Sequence, residues 1–125
     1  DSALELKIKK KNFGNNIKDN LFEICMTKID LLHPYKKNLH NFYLSFKKKP
    51  DLFLKLYKSF FESMEGNLKL SKINLDPIKK NLKVLIFSFL YLSIIYEWLK
   101  EDSSSNEKVM AILDQRLSLI ENILI

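Results

Sequence analysis

The chain has 125 residues, 46% of them hydrophobic, which is enough for one core and too short for two ordinary domains. Only 2 Gly and 3 Pro exclude collagen-like or linker-like material and argue against an all-β protein with many tight turns. A single cysteine excludes an internal disulfide and a C-x-x-C metal site, and the net charge of +6 rests on lysines with Arg116 as the one arginine, without the arginine forks that read guanine and phosphate.

Residues 3–12 form a short Lys-rich piece with Leu4 and Ile8 one turn apart, and Gly14 suits the position just past a helix end. Asn16 with Asp19 three residues on is an N-cap signal. The helix it opens carries Ile17, Leu21, Ile24, Cys25 and Leu32 on one broad face and stops near Leu32, because Pro34 restricts His33. Pro34 reads as the first residue of a second helix, with Tyr35, Leu39, Phe42, Tyr43 and Phe46 in an amphipathic stripe. A third helix starts at Pro50-Asp51 and turns Phe53, Leu56, Tyr57, Phe60, Met64 and Leu68 one way, and Leu70 to Leu75 is a loop.

Asp76-Pro77 signals the start of a fourth helix running to about Lys100. It has two apolar rows: Ile78, Leu82, Leu85, Phe89, Leu92, Tyr96 and Leu99, and, well around the helix, Val84, Phe87, Tyr91, Ile94 and Trp98. A helix apolar on both sides is covered on both sides. Leu82 to Leu99 is also nearly long enough for a membrane span, but Lys83, Ser88, Ser93 and Glu97 interrupt it, and burial between protein surfaces explains it better. Ser103 to Ser105 form a turn, and Ser104 with Glu107 makes a capping box for the last helix. That helix sets Val109, Leu113, Leu117, Ile120 and Leu124 on one face and Ile112, Leu119 and Ile123 on another. The expected fold is all-α, with five to six helices.

Reactive chemistry finds little support. Cys25, mid-helix on an apolar face, reads as a small core residue. His33 and His40 are separated by the Pro34 boundary, so a shared metal with Asp30 is disfavoured against capping and surface roles. Ser103 to Ser105 have neither a nearby His nor a Gly-flanked elbow, and no phosphate-cradling Gly loop exists. Asp102, Asp114 and Arg116 are placed to pair around the last helix, a structural role. No catalytic residue, metal or cofactor is expected, and the chain is not expected to be an enzyme.

The aromatic residues are more informative. Phe42, Phe46, Phe53, Tyr57, Phe60, Phe61, Phe87 and Tyr91 crowd three consecutive helices. They either fill the core or line an apolar cavity, and bundles often place pockets between helices. The cavity is expected to be bordered by Phe42, Phe46, Tyr57, Phe61, Phe87 and Tyr91. No charge is expected inside it, so a ligand is neutral or keeps its charge at the mouth near Lys47 or Lys58. Charge is uneven along the chain: residues 1–60 carry 13 basic and 6 acidic side chains, and residues 61–125 carry 8 and 9. The clusters Lys9-Lys10-Lys11 and Lys47-Lys48-Lys49 read as solvated helix ends or as an anion-facing surface.

Two short stretches carry a resemblance. Asn20-Leu21-Phe22-Glu23-Ile24 with Asp30, then His33-Pro34-Tyr35-Lys36, is similar to the opening of the C-terminal domains of a group of TetR-family regulators. Trp98-Leu99-Lys100-Glu101-Asp102-Ser103, then Leu113-Asp114-Gln115-Arg116-Leu117, resembles their close. Lipid-binding accessory proteins of coenzyme Q biosynthesis share this pattern and give the alternative function. The resemblance covers about residues 17–124. It implies a ligand-sensing cytoplasmic domain in which the last two helices dimerise as a four-helix bundle. Residues 1–14 would then be the remnant of a connecting helix, 16–75 the pocket helices and 76–125 the dimerisation helices. DNA would be contacted only through a helix-turn-helix head absent from this chain. The expected partners are a second copy, through Phe89, Leu92, Tyr96, Ile112, Leu119 and Ile123, and a small hydrophobic ligand.

Overall fold

A computed structural model describes residues 6–7, 14–102 and 105–125, without the side chains of Lys47 and Phe53. The expected remnant helix and its Lys9-Lys10-Lys11 cluster therefore lie mostly outside the described residues; Leu6 and Lys7 are helical and exposed. The rest is all-α: α1 (Ile17–Leu32), a 3-10 turn (His33–Tyr35), α2 (Lys36–Lys48), α3 (Asp51–Leu70), α4 (Lys80–Lys100) and α5 (Glu107–Leu124), with no strand among the described residues.

The helix starts follow local chemistry. Asn16 Oδ1 accepts the Asp19 N–H at 3.0 Å, and Asp19 sits in the first turn, where the helix dipole favours an acid. Pro34 does not open α2 as its sequence suggests. His33 keeps helical angles (φ −52°, ψ −43°) despite preceding a proline, so the chain tightens into one 3-10 turn and α2 begins at Lys36. Asp76-Pro77 likewise acts three residues ahead of the regular helix. Asp76 Oδ1 accepts the Ile78 N–H at 3.1 Å, and the Asp76 carbonyl accepts the Lys80 N–H at 2.8 Å, so Pro77 lies in a turn that leads into α4. At α5 the Ser105 hydroxyl accepts the Glu107 N–H at 3.2 Å; the expected capping residue, Ser104, lies outside the described residues.

The core gathers Leu21, Cys25 and Ile29 of α1, Met64 and Leu68 of α3, Phe87, Ile94 and Trp98 of α4, and Leu113, Leu117 and Leu124 of α5. Of the two apolar rows of α4, the row of Val84, Phe87, Tyr91, Ile94 and Trp98 is buried here, against α3 and α5. By length and composition α4 could cross a membrane, but this face belongs to the core of the fold. In α3 only the second half packs. Leu54, Leu56 and Tyr57 are exposed, because a helix of 20 residues, about 30 Å, overhangs the body it joins.

α1 is buried far beyond its expected face, with Asn20, Thr27 and Lys28 also covered. Asn20 Nδ2 donates to the carbonyls of Gly14 (3.1 Å) and Ser71 (3.0 Å), tying the start of α1 to the turn after α3. In that turn Lys72 takes a left-handed φ of 69° and Ile73 is buried. Lys83 Nζ reaches the Asn74 carbonyl at 2.8 Å from the other side. The pairing expected among Asp102, Asp114 and Arg116 is not formed. Arg116 meets Glu97 at 3.4 Å and Asp114 meets Lys18 at 3.2 Å, since helix packing brings α4 and α1 to those two positions of α5.

Candidate functional site

Two grooves open where α1, α2, α3 and α4 converge. The first, of about 300 Å³, is lined by Leu32, Leu39, Phe42, Tyr43, Phe46, Phe60, Tyr91, Leu92, Ile95 and Leu99, aliphatic and aromatic throughout. The second, of about 490 Å³, is lined by Lys28, Leu31, Leu32, Tyr35, Phe60, Ser63, Met64 and Tyr91. They share Leu32, Phe60 and Tyr91, and the Phe60 and Tyr91 rings stand 6.4 Å apart. Both volumes fall at the lower end of the range for small-molecule sites.

The six expected cavity residues do not come together. Phe42, Phe46 and Tyr91 line the apolar groove, where Phe42 and Phe46 meet edge to face at 4.7 Å. Phe87 is fully buried: one turn before Tyr91 on the same face, it lies deeper, in the core. Tyr57 is exposed on the overhanging half of α3, with its ring 6.3 Å from Phe61. Phe61 turns away to a separate groove of about 360 Å³ with Glu62, Glu65, Asn81, Val84 and Leu85. Phe60, one residue off in the sequence, takes the place expected of Phe61, because it is Phe60 that faces Tyr91.

The expectation of an uncharged interior also fails. Lys28 lines the larger groove with only 7% of its surface exposed, and its Nζ lies 4.7 Å from the centre of the Tyr91 ring. Burial pulls this ammonium down from its ordinary 10.5 to about 8, while the neighbouring Cys25 opposes the shift slightly. Burial pushes the Cys25 thiol up to about 12 and raises the Tyr91 phenol, so both stay protonated and neutral near pH 7. Cys25 is thus an inert core thiol rather than a nucleophile. Lys58 is exposed and borders neither groove. His33 and His40 are exposed, and no metal-ligating cluster occurs among the described residues.

The residues expected at a dimer face are mostly open to solvent. Phe89 is 65% exposed, Leu119 72% and Ile123 61%, and Leu92 and Tyr96 are exposed on the same side of α4. Ile112 differs, being half-buried against the core. Ile78, Leu82 and Leu85 extend the α4 row towards the helix start, all exposed. Leu92 belongs to both features, lining the apolar groove and standing in this row.

The two sequence stretches that carried the family resemblance meet in space. Lys36 Nζ donates to the Glu101 carbonyl at the end of α4 and lies 5.1 Å from the centre of the Trp98 ring. A cation at a helix C-terminus complements the exposed carbonyls there, so this pair fixes the first turn of α2 against the last turn of α4. Comparison with protein-family models, with characterised proteins and with solved structures gives no match.

Proposed function

We propose that this chain is a ligand-binding and dimerising helical domain of the kind found at the C-terminus of TetR-family regulators, and not an enzyme. One observation carries the reading: α4 presents Tyr91, Leu92, Ile95 and Leu99 to an apolar groove and Phe89, Leu92 and Tyr96 to solvent on the adjoining face. A molecule wedged in the groove would press on the same helix that a second copy packs against. Binding and interface geometry are therefore linked through one rigid element.

In this reading the exposed rows of α4 and α5 pair with those of a second copy as a four-helix bundle, an isologous arrangement that buries each row against its twin. Contact with DNA belongs to a helix-turn-helix head outside residues 1–125. The meeting of Lys36 with Trp98 and Glu101 supports the resemblance, because residues from both stretches then serve one structural purpose. The all-apolar groove equally suits a lipid-binding accessory role, which differs in needing no DNA-binding head.

Sedimentation equilibrium at micromolar concentration tests the assembly, with a dimer expected. Thermal unfolding with a neutral apolar probe such as 1-decanol tests the groove, with stabilisation expected. A monomer that no apolar probe stabilises would overturn the reading.

A further inference from the structure

Lys28 is out of place in an ordinary helical core. It projects from the middle of α1, is 7% exposed, and lines the larger groove opposite Tyr91. Among the described residues no carboxylate pairs with it: Glu97 is taken by Arg116 and Lys100, Glu65 by Lys69 and Lys80, Asp114 by Lys18 and Glu101 by Lys108. The other buried lysine, Lys83, has its ammonium on the Asn74 carbonyl. Among the described residues the partner found for the Lys28 ammonium is the face of the Tyr91 ring, and a quadrupole only partly replaces lost water.

We propose that the two adjoining grooves together take an amphiphile with a single carboxylate head, the head on Lys28 Nζ and the tail passing Phe60 and Tyr91 to lie between α2, α3 and α4. This rests on the grooves being a ligand site and adds the class of ligand. The position of the cation gives the polarity. Lys28 stands on the wall of the larger groove, and past the shared Leu32, Phe60 and Tyr91 the described lining of the smaller groove is Leu, Ile, Phe and Tyr. Head and tail thus have different surroundings in the two grooves. Ser63 lines the head end too and offers a hydroxyl donor to a carboxylate oxygen.

One lysine matches one negative charge. A phosphomonoester, carrying close to two, would leave charge uncompensated there, because among the described side chains no second cationic one lines either groove. The tail end sets the length. Leu39 to Phe46 along α2 spans seven residues, about 10 Å, which suits a medium-length alkyl chain. A neutral alcohol fills the same channel and offers the buried ammonium a hydroxyl acceptor but no counter-charge, so the site prefers the acid over the alcohol.

Calorimetric titration of the whole chain at pH 7 with decanoate and with 1-decanol, both below their micelle or solubility limits, tests this. The expected result is decanoate binding at least about tenfold tighter than decanol, a preference lost in Lys28→Met and Lys28→Gln while decanol affinity stays within about threefold. Lys37→Met, which changes an exposed lysine on α2, should keep the preference. Equal affinities in the unaltered protein, or a preference that survives both Lys28 changes, would overturn the carboxylate assignment and leave the groove as a neutral apolar site. Binding of neither probe would overturn both.

Discussion

Replacing Lys28 by Met should make the protein more stable. The ammonium sits at about 8 in the fold against an ordinary 10.5, so at pH 7 folding carries a charge into a poorly solvated place. At 1.36 kcal/mol per unit this costs about 3 kcal/mol, and the Tyr91 ring recovers roughly 0.5–2 kcal/mol of it. Met keeps the apolar stem in place without the charge. Lys28→Met should therefore gain about 1–3 kcal/mol at pH 7, and with a slope of about 2 kcal/mol/M raise the urea midpoint by about 0.5–1.5 M at fixed protein concentration. The pH profile has its own sign. Between 8 and 10.5 the unfolded chain holds the Lys28 proton and the folded one does not, so stability rises with pH there. Cys25 acts in reverse, since the folded thiol keeps its proton to about 12 while the unfolded thiol loses it near 9.0, and the raised Tyr91 phenol adds to this decline at higher pH. The unaltered protein should gain about 1 kcal/mol from pH 8 to 9 and then level off; Lys28→Met should show no gain and decline from pH 9. Urea titrations followed by far-UV circular dichroism at half-unit pH steps measure both curves. A variant no more stable than its parent at pH 7, or a parent without the rise, would refute the account of Lys28 as an unpaired buried charge.

Phe89→Lys and Leu119→Lys should each give a monomer by sedimentation with unchanged helical dichroism, because both positions are exposed within one subunit and would be covered only by a second. Asn20→Ala should lower stability by about 1–3 kcal/mol in urea unfolding, since the carbonyls of Gly14 and Ser71 both lose their amide donor. Trp98→Ala should cost about 3–5 kcal/mol by the same assay, for the cavity it leaves at the centre of the core.

Helix positions were largely legible in the sequence because their signals are local. Asn16 caps α1, and α3 starts beside Pro50-Asp51. Where two local rules compete, the boundary moves: His33 stays helical although a proline follows, and one 3-10 turn carries α1 directly into α2. Depth was less legible. Both rows of α4 are apolar, and no pattern within the helix decides which one its own subunit covers. Phe87 and Tyr91 share a face, yet only the second reaches a groove, a distinction made by α1 and α3 rather than by α4. Nothing in the pattern around Lys28 marks it as buried, and the groove it lines is completed by Phe60 and Tyr91 from two other helices. The ring-rich stretches of α2, α3 and α4 do border a groove, but α1 lines it as well through Leu32, and only Phe42, Phe46 and Tyr91 of the six expected residues reach it.

The outer wall of the apolar groove is also its most weakly held part. None of the described side chains of α2 is fully buried; the helix is held by Lys36 on Glu101 and Trp98, by Leu39 against the core and by Tyr43 beside Tyr96. A helix packed this lightly along its length opens by local unfolding at a fraction of the free energy needed to unfold the whole domain. Backbone amides of α2 should then exchange with solvent orders of magnitude faster than those of α1, which is buried along most of its length. An apolar molecule held in the groove should then slow exchange of the α2 amides, because it adds apolar contacts along that lightly packed wall.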